Sequence, residues 1–79
     1  MGIEYRIEFV VPQRYDRSAL ERKLPSPAQG SRPPYDYAVE PYGFYFIDHL
    51  TAPEIAALAF KRLVDEALLH GDRVQIREP

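Results

Sequence analysis

The chain has 79 residues, of which 46% are hydrophobic, and its 10 basic and 12 acidic side chains give a net charge of -2. A chain of this length has room for one small domain, and a charge so close to neutral argues against a protein whose main role is to bind phosphate backbones. Because the chain has no cysteine, disulfides, thiolate metal sites and thiol nucleophiles are excluded. We therefore expect a single domain over residues 1–79.

The first predicted element is a strand over residues 3–11. Hydrophobic and charged side chains alternate there, as in a strand with one buried face. The side chains expected to face the core are Ile3, Tyr5, Ile7, Phe9 and Val11. Because the charges at this end belong to the alternation, the sequence predicts no signal peptide. No apolar run is long enough to cross a bilayer, so we expect a cytoplasmic protein that does not enter a membrane.

A short helix and a loop come next. Asp16 or Ser18 can cap the helix, and Leu20 and Leu24 lie one turn apart on its surface. Residues 25–34 contain four prolines and a glycine but almost no apolar side chain, a composition typical of a loop. We expect this proline-rich loop to be flexible on the nanosecond timescale.

A β-hairpin is predicted over residues 35–49. Pro41 provides the fixed φ angle of a type I turn, and Gly43 the residue of positive φ that often follows such a turn. A loop of this kind pairs Glu40 with Phe44 across the hairpin. The core face of the hairpin is then formed by Tyr37, Val39, Tyr45 and Ile47. The opposite face carries three apolar side chains, Ala38, Phe44 and Phe46, beside Asp36, Glu40 and Asp48.

The main helix is predicted from Thr51 to about Leu69. Residues 51–54 read as a capping box, with proline where its missing N–H costs nothing. The hydrophobic face is formed by Ala56, Ala59, Phe60, Leu63, Val64 and Ala67, and the opposite, charged face by Glu54, Lys61, Arg62, Asp65 and Glu66. Gly71 suits the C-cap position. A last strand is predicted over residues 73–77, with Val74 and Ile76 facing the core.

The order strand, helix, strand, strand, helix, strand is that of the ferredoxin-like split βαβ fold, an α+β arrangement. Right-handed crossovers place the four antiparallel strands in the order 4-1-3-2, with both helices on one face of the sheet. The other face is then open. On it, Glu4 and Glu8 are expected to lie opposite Arg73 and Arg77 as cross-strand charge pairs.

Three residues of the predicted third strand and its turn, Tyr42, Gly43 and Phe44, suggest one alternative function. Their sequence resembles the core of the RNA-recognition motif, which stacks bases on aromatic side chains of the third strand. The resemblance is confined to this core, since Glu40 and Pro41 stand where the motif has a basic residue and a glycine. It implies a weak nucleic-acid binder.

A second alternative is a small anion-binding enzyme such as an acyl-phosphate hydrolase. Arg14 and Arg17 lie where the first strand meets the first helix, and cations beside a helix N-terminus favour anions. The segment lacks a glycine for close backbone approach, and the chain has no asparagine to position a water. We expect at most a weak anion contact at these two arginines, and we predict no catalytic residue.

The two histidines do not indicate a site. Asp48 and His49 are neighbours on a strand, so their side chains point to opposite faces. His70 ends the main helix, where the helix dipole favours a cation. Two histidines without ligand spacing predict neither a metal site nor a catalytic pair, and we expect no cofactor.

The remaining interpretation is a non-enzymatic protein-interaction module. If this sheet face contacted only solvent, polar side chains would be expected at the positions of Ala38, Phe44 and Phe46. An apolar strip there can instead be covered by a partner. We therefore expect a homodimer, or a complex with another protein, whose interface is formed by these three residues on the open sheet face.

Overall fold

The strands and helices follow the predicted order along the chain. The computed structural model describes residues 2–25 and 33–79, and gives four antiparallel strands in one sheet with two helices. The elements are β1 (Ile3–Glu8), α1 (Arg17–Lys23), β2 (Tyr35–Glu40), β3 (Gly43–Asp48), α2 (Pro53–His70) and β4 (Gln75–Arg77). The predicted α+β class is confirmed. The predicted flexible loop, 25–34, lies outside the described residues except at its two ends.

The sheet has the strand order β2-β3-β1-β4, so β1 and β3 are its central strands. Counted from the β4 edge, the order is 4-1-3-2, and all neighbours are antiparallel. One face of the sheet packs against both helices. The largest side chains in this core are Ile7, Leu20, Phe44, Phe46 and Leu63.

The first helix is short and depends on its surroundings. Asp16 is its N-cap, and the Asp16 carboxylate accepts hydrogen bonds from the backbone N–H groups of Ser18 and Ala19 at 3.0 and 3.2 Å. Leu20 and Leu24, one turn apart as predicted, are both buried. A helix of seven residues is too short to be stable alone, so α1 is held by this docking.

The second helix begins later than the predicted capping box requires. Its N-cap is Ala52, whose side chain makes no cap hydrogen bond, and Pro53 follows at the start of the helix. Thr51 therefore lies one residue outside the cap position. Its hydroxyl instead lies 3.4 Å from the carbonyl oxygen of Pro33, so the capping box at 51–54 is wrong.

The hairpin turn is one residue shorter than predicted. Glu40 pairs with Gly43, which leaves only Pro41 and Tyr42 between the paired residues. Gly43, with a φ of 141°, is the first residue of β3 and not part of the loop. A shift of one residue in register moves every side chain of a strand to the other face. The predicted faces of β3 are therefore wrong, whereas the predicted core face of β2 packs against the core.

Phe44 and Phe46 consequently lie in the core and not on the open face. Their side chains are 0% and 1% exposed, and Phe46 packs against aromatic rings of β1 and α2. The interface predicted from Ala38, Phe44 and Phe46 is wrong at its two phenylalanines. Ala38 remains on the face opposite the helices, where it pairs with Tyr45.

One stripe of α2 packs against the sheet, and it includes a charged residue. The buried residues of this helix are Ala56, Ala59, Leu63, Glu66 and Ala67. The four apolar residues were predicted to be buried, but Glu66 was predicted on the charged face. At 100° per residue, Glu66 lies only about 20° from Ala59 around the helix axis. It therefore belongs to the buried stripe, and its burial creates a polar site inside the fold.

Strands β1 and β4 are both shorter than predicted. β1 ends at Glu8, and Val10 beyond it is 82% exposed. β4 begins at Gln75 rather than at Arg73, and Ile76 is 48% exposed at this edge. Short edge strands present few unpaired backbone groups to other chains.

Candidate functional site

The face of the sheet opposite the helices carries a small apolar patch among charges. The observed register and strand alternation place on it Glu4, Arg6, Glu8, Asp36, Ala38, Glu40, Tyr45, Ile47, Gln75 and Arg77, which we call the open face. Both helices contribute to the core on the other side of the sheet. The centre of the open face is formed by Ala38, Tyr45 and Ile47, all half-buried.

Polar contacts hold the side chains around this patch. The Tyr45 hydroxyl donates a hydrogen bond to Oε1 of Glu4 at 2.5 Å, and this bond raises the pKa of Tyr45 to about 12. The carboxylate of Glu8 lies 3.4 Å from Arg6 and 3.6 Å from Arg77. The predicted cross-strand pairs are therefore not formed as expected: Arg77 lies directly opposite Arg6 and reaches Glu8 diagonally, and Glu4 bonds to Tyr45 instead of an arginine.

The charges of the open face are unevenly distributed across the sheet. β2, at one edge, carries Asp36 and Glu40, whereas β4, at the other edge, carries Arg77. Nε2 of His49 lies 2.8 Å from Oδ2 of Asp36 on the neighbouring strand, so His49 pairs across the sheet and not with Asp48. The open face therefore has an acidic edge and a basic edge.

A buried carboxylate joins α1 to α2 on the helical side of the sheet. Glu66 is 4% exposed; the Tyr15 hydroxyl donates to its Oε2 at 2.5 Å, and Nζ of Lys23 donates to its Oε1 at 2.6 Å. Nε2 of His70 lies 3.2 Å from Oε2. Since an ionised carboxylate only accepts hydrogen bonds, this nitrogen carries a proton. We call Tyr15, Lys23, Glu66 and His70 the Glu66 cluster.

The donors of the Glu66 cluster keep its carboxylate ionised. Burial alone raises the pKa of Glu66, but the hydrogen bonds from Lys23, Tyr15 and His70 outweigh burial and hold the pKa below its usual value. For Tyr15 the effects add: burial and the bonded carboxylate raise the pKa of its hydroxyl well above the ordinary range. A carboxylate with both oxygens already bound is poorly placed to remove a proton from a substrate. The cluster therefore fixes the positions of its members.

We expect Glu66→Gln to lower the free energy of unfolding by about 2 kcal/mol, because a neutral amide offers one acceptor oxygen to three donors and cannot pair with a charged lysine. The folded-state pKa of Glu66 lies below its unfolded-state value. The carboxylate thus stabilises the fold above the unfolded pKa, and this contribution is lost as the pH falls through the folded pKa. Urea unfolding at pH 7 and at about pH 3 tests both points: the difference between wild type and variant should shrink in acid. An equal difference at both pH values would contradict a role for the charge.

A cleft of about 340 Å³ adjoins the Glu66 cluster. It lies between the segment that precedes α1, α1 itself and the end of α2. Its polar lining consists of Arg14, Tyr15, Asp16, Lys23, Glu66 and His70. Of these, Arg14 is a residue that the sequence predicts as an anion contact.

Of the two arginines predicted to contact an anion, Arg14 lines the cleft and Arg17 does not. Arg14 lines the cleft and has a φ of 61°, in the left-handed region that non-glycine residues rarely adopt. Arg17 belongs to α1: its Nε lies 3.6 Å from Glu21, and its guanidinium lies 5.4 Å from the centre of the Tyr37 ring. The geometry therefore gives no support to one anion contact shared by Arg14 and Arg17.

The described residues contain neither a metal-ligating cluster nor a membrane-spanning helix. Over residues 2–25 and 33–79, no group of three or more metal-ligating His, Asp or Glu side chains is present. Neither of the two helices in the described part of the chain is long and apolar enough to cross a membrane.

Comparison with known proteins gives no family assignment. No protein-family model, curated protein or solved structure matches the chain.

Proposed function

We propose that the protein is a non-enzymatic interaction module that forms a homodimer through its open face. The observation that carries this proposal is the apolar centre of that face. Ala38 lies directly opposite Tyr45, and Ile47 is the next side chain of β3 on the same side. An ordered apolar patch with a charged rim is the usual composition of a protein interface.

We propose in addition that the domain has a ferredoxin-like fold. The element order and the strand order, 4-1-3-2 from the β4 edge, support a ferredoxin-like domain. In such a domain both helices pack on one face of the sheet. The opposite face is then the largest flat surface offered to a partner. A cytoplasmic location stays a prediction.

The charges of the open face favour a second copy as the partner. A twofold axis parallel to the strands would place the acidic edge of one copy over the basic edge of the other, because such an axis reverses the strand order. Asp36 and Glu40 on β2 would then approach Arg77 on β4 of the second copy. Arg77 can make this contact in addition to its contact with Glu8, since a guanidinium has five N–H donors.

The size of the open face sets the expected strength of the dimer. Three strands of six residues and one of three, spaced about 4.8 Å apart at about 3.4 Å per residue, cover a flat area of roughly 340 Å². A standard interface buries about 800 Å² per partner. We therefore expect a weak dimer with a Kd of about 100 μM, equivalent to about 5.5 kcal/mol.

We expect Ile47→Glu to weaken dimer formation by at least about tenfold, because it buries an unpaired carboxylate at the centre of the interface. Sedimentation equilibrium from about 20 μM to 1 mM measures the Kd of wild type and variant. Leu58→Glu is the matched control, since Leu58 is 41% exposed on the outer side of α2. This control should leave the dimer unchanged.

Other outcomes would overturn the proposal. A wild type that stays monomeric at 1 mM would exclude a homodimer under the conditions tested. Dimers that resist Ile47→Glu but are lost with Leu58→Glu would place the interface on α2. Circular dichroism of both variants would establish that each is folded, which surface positions allow.

The nucleic-acid alternative receives less support from the geometry. Phe44, which stands at the stacking position of the resembled motif, is fully buried. The open face carries four carboxylates, Glu4, Glu8, Asp36 and Glu40, against two arginines. Binding of single-stranded RNA tighter than about 10 μM, with steep loss of affinity in salt, would favour this alternative over the dimer.

A further inference from the structure

We propose that the cleft beside the Glu66 cluster binds a small oxyanion, either a phosphate group or a carboxylate, through Arg14, Lys23 and His70. This site is separate from the open face and does not depend on dimer formation. The cleft volume of about 340 Å³ is that of a small ligand site. Four observations support an anion as its occupant.

The first observation is the set of unused donors around the cleft. Lys23 gives one hydrogen bond to Glu66, and an ammonium group has three donors. His70 contacts Glu66 through Nε2, and Nδ1 is a further donor when the ring carries two protons. Within residues 2–25 and 33–79, Arg14 takes part in no ion pair, so its five N–H donors are available.

The second observation is that the carboxylates of the cleft are already occupied. Both oxygens of Glu66 accept hydrogen bonds from members of the cluster. Oδ1 of Asp16 accepts from two backbone N–H groups at the start of α1. Glu66 is therefore poorly available to a cation, whereas Asp16 has one oxygen committed to the helix cap. Most of the polar groups that remain free in the cleft are donors.

The third observation is that two of the three donors, Lys23 and His70, are held in place. Glu66 is almost fully buried. Its carboxylate contacts Nζ of Lys23 and Nε2 of His70, and so restricts both side chains. Side chains fixed before binding lose less conformational freedom when a ligand arrives. Glu66 is thus a positioning residue, whose loss would weaken binding without removing a ligand contact.

The fourth observation concerns the backbone at Arg14. This residue keeps a φ of 61°, a conformation that costs a non-glycine residue free energy and often marks a binding site. The conformation places Arg14 on the wall of the cleft. The start of α1 itself is not the site, because Asp16 already caps its N–H groups.

We expect Arg14→Gln to weaken phosphate binding by about tenfold, the loss that corresponds to one hydrogen bond between charged groups. The matched control is Arg17→Gln, which removes the neighbouring arginine that points away from the cleft and should change the affinity less than twofold. Backbone amide and histidine side-chain NMR shifts are followed while inorganic phosphate or acetate is added at constant ionic strength. In wild type, shifts should centre on residues 14–16, 23 and 66–70 for the preferred anion.

The two anions distinguish a phosphate site from a carboxylate site, and the two variants test whether the anion binds in the cleft. Saturation by phosphate alone assigns a phosphate site, and saturation by acetate alone assigns a carboxylate site. Absence of shifts up to 50 mM of either anion would overturn the proposal. Shifts that are lost equally in Arg14→Gln and Arg17→Gln would also overturn it, because they would report general charge rather than the cleft. Ultracentrifugation with and without phosphate tests independence from the dimer.

Discussion

Phe44→Ala should lower the free energy of unfolding by about 3 to 5 kcal/mol, the range for truncation of a buried phenylalanine. Phe44 is fully buried, and its ring centre lies 4.8 Å from that of Phe9 and 6.1 Å from that of Tyr15. Truncation therefore removes contacts with two rings of the segment between β1 and α1. A domain of 79 residues has a total stability of about 4 to 12 kcal/mol. We expect a large unfolded fraction at 37 °C.

The adjacent residue provides the control for this prediction. Tyr45 lies on the open face and is half-buried, so Tyr45→Ala should cost about 1 kcal/mol, mainly from its hydrogen bond with Glu4. Urea denaturation of both variants measures the ranking. A larger loss for Tyr45→Ala than for Phe44→Ala would mean that β3 has the opposite register.

Gly43→Ala should also destabilise the fold strongly, by about 3 kcal/mol or more, because a side chain there is strained and has no space. Gly43 has a φ of 141°. A Cβ atom at this position would lie 2.1 Å from the carbonyl oxygen of Ile7 and 3.0 Å from the backbone nitrogen of Phe9. These are backbone atoms of the central part of the sheet, so relief of the clash would break the pairing of β1 with β3.

Gly71→Ala is the corresponding control. Gly71 has a φ of -152°, which any residue can adopt, and the nearest atom to an added Cβ would be 3.7 Å away. We expect a change of less than about 1 kcal/mol in thermal or urea unfolding. Equal losses for the two alanine variants would contradict the close approach of β1 to Gly43.

The hairpin shows why sequence periodicity located β3 but not its faces. Residues 44–47 read Phe-Tyr-Phe-Ile, so both faces of the strand are hydrophobic and alternation cannot distinguish them. The register was then inferred from the turn alone, where Gly43 suggested a longer loop. The structure instead uses the freedom of Gly43 for a close approach between strands, a contact that only the three-dimensional arrangement reveals.

The burial of Glu66, unlike the faces of β3, could have been predicted from the sequence. Its angular position close to Ala59 predicts burial, but the type of residue suggested solvent. Buried carboxylates need partners, and these come from residues 51 and 43 positions away in the chain, Tyr15 and Lys23. No local pattern connects such distant residues. The cleft could not be predicted without the packing of α1 on α2.

The weak attachment of α1 has a consequence for how the cleft can be occupied. Leu20 is the one buried residue of α1, and the C-cap residue Leu24 adds a second buried side chain. The polar contacts of α1 to α2 run through Lys23. We expect such an element to open as a separate cooperative unit, at a lower free energy than the central strands. The cleft exists only while α1 is docked. The apparent affinity for any ligand is therefore reduced by the fraction of molecules in which α1 is undocked, and ligand binding in turn slows the exchange of the α1 amide hydrogens with solvent.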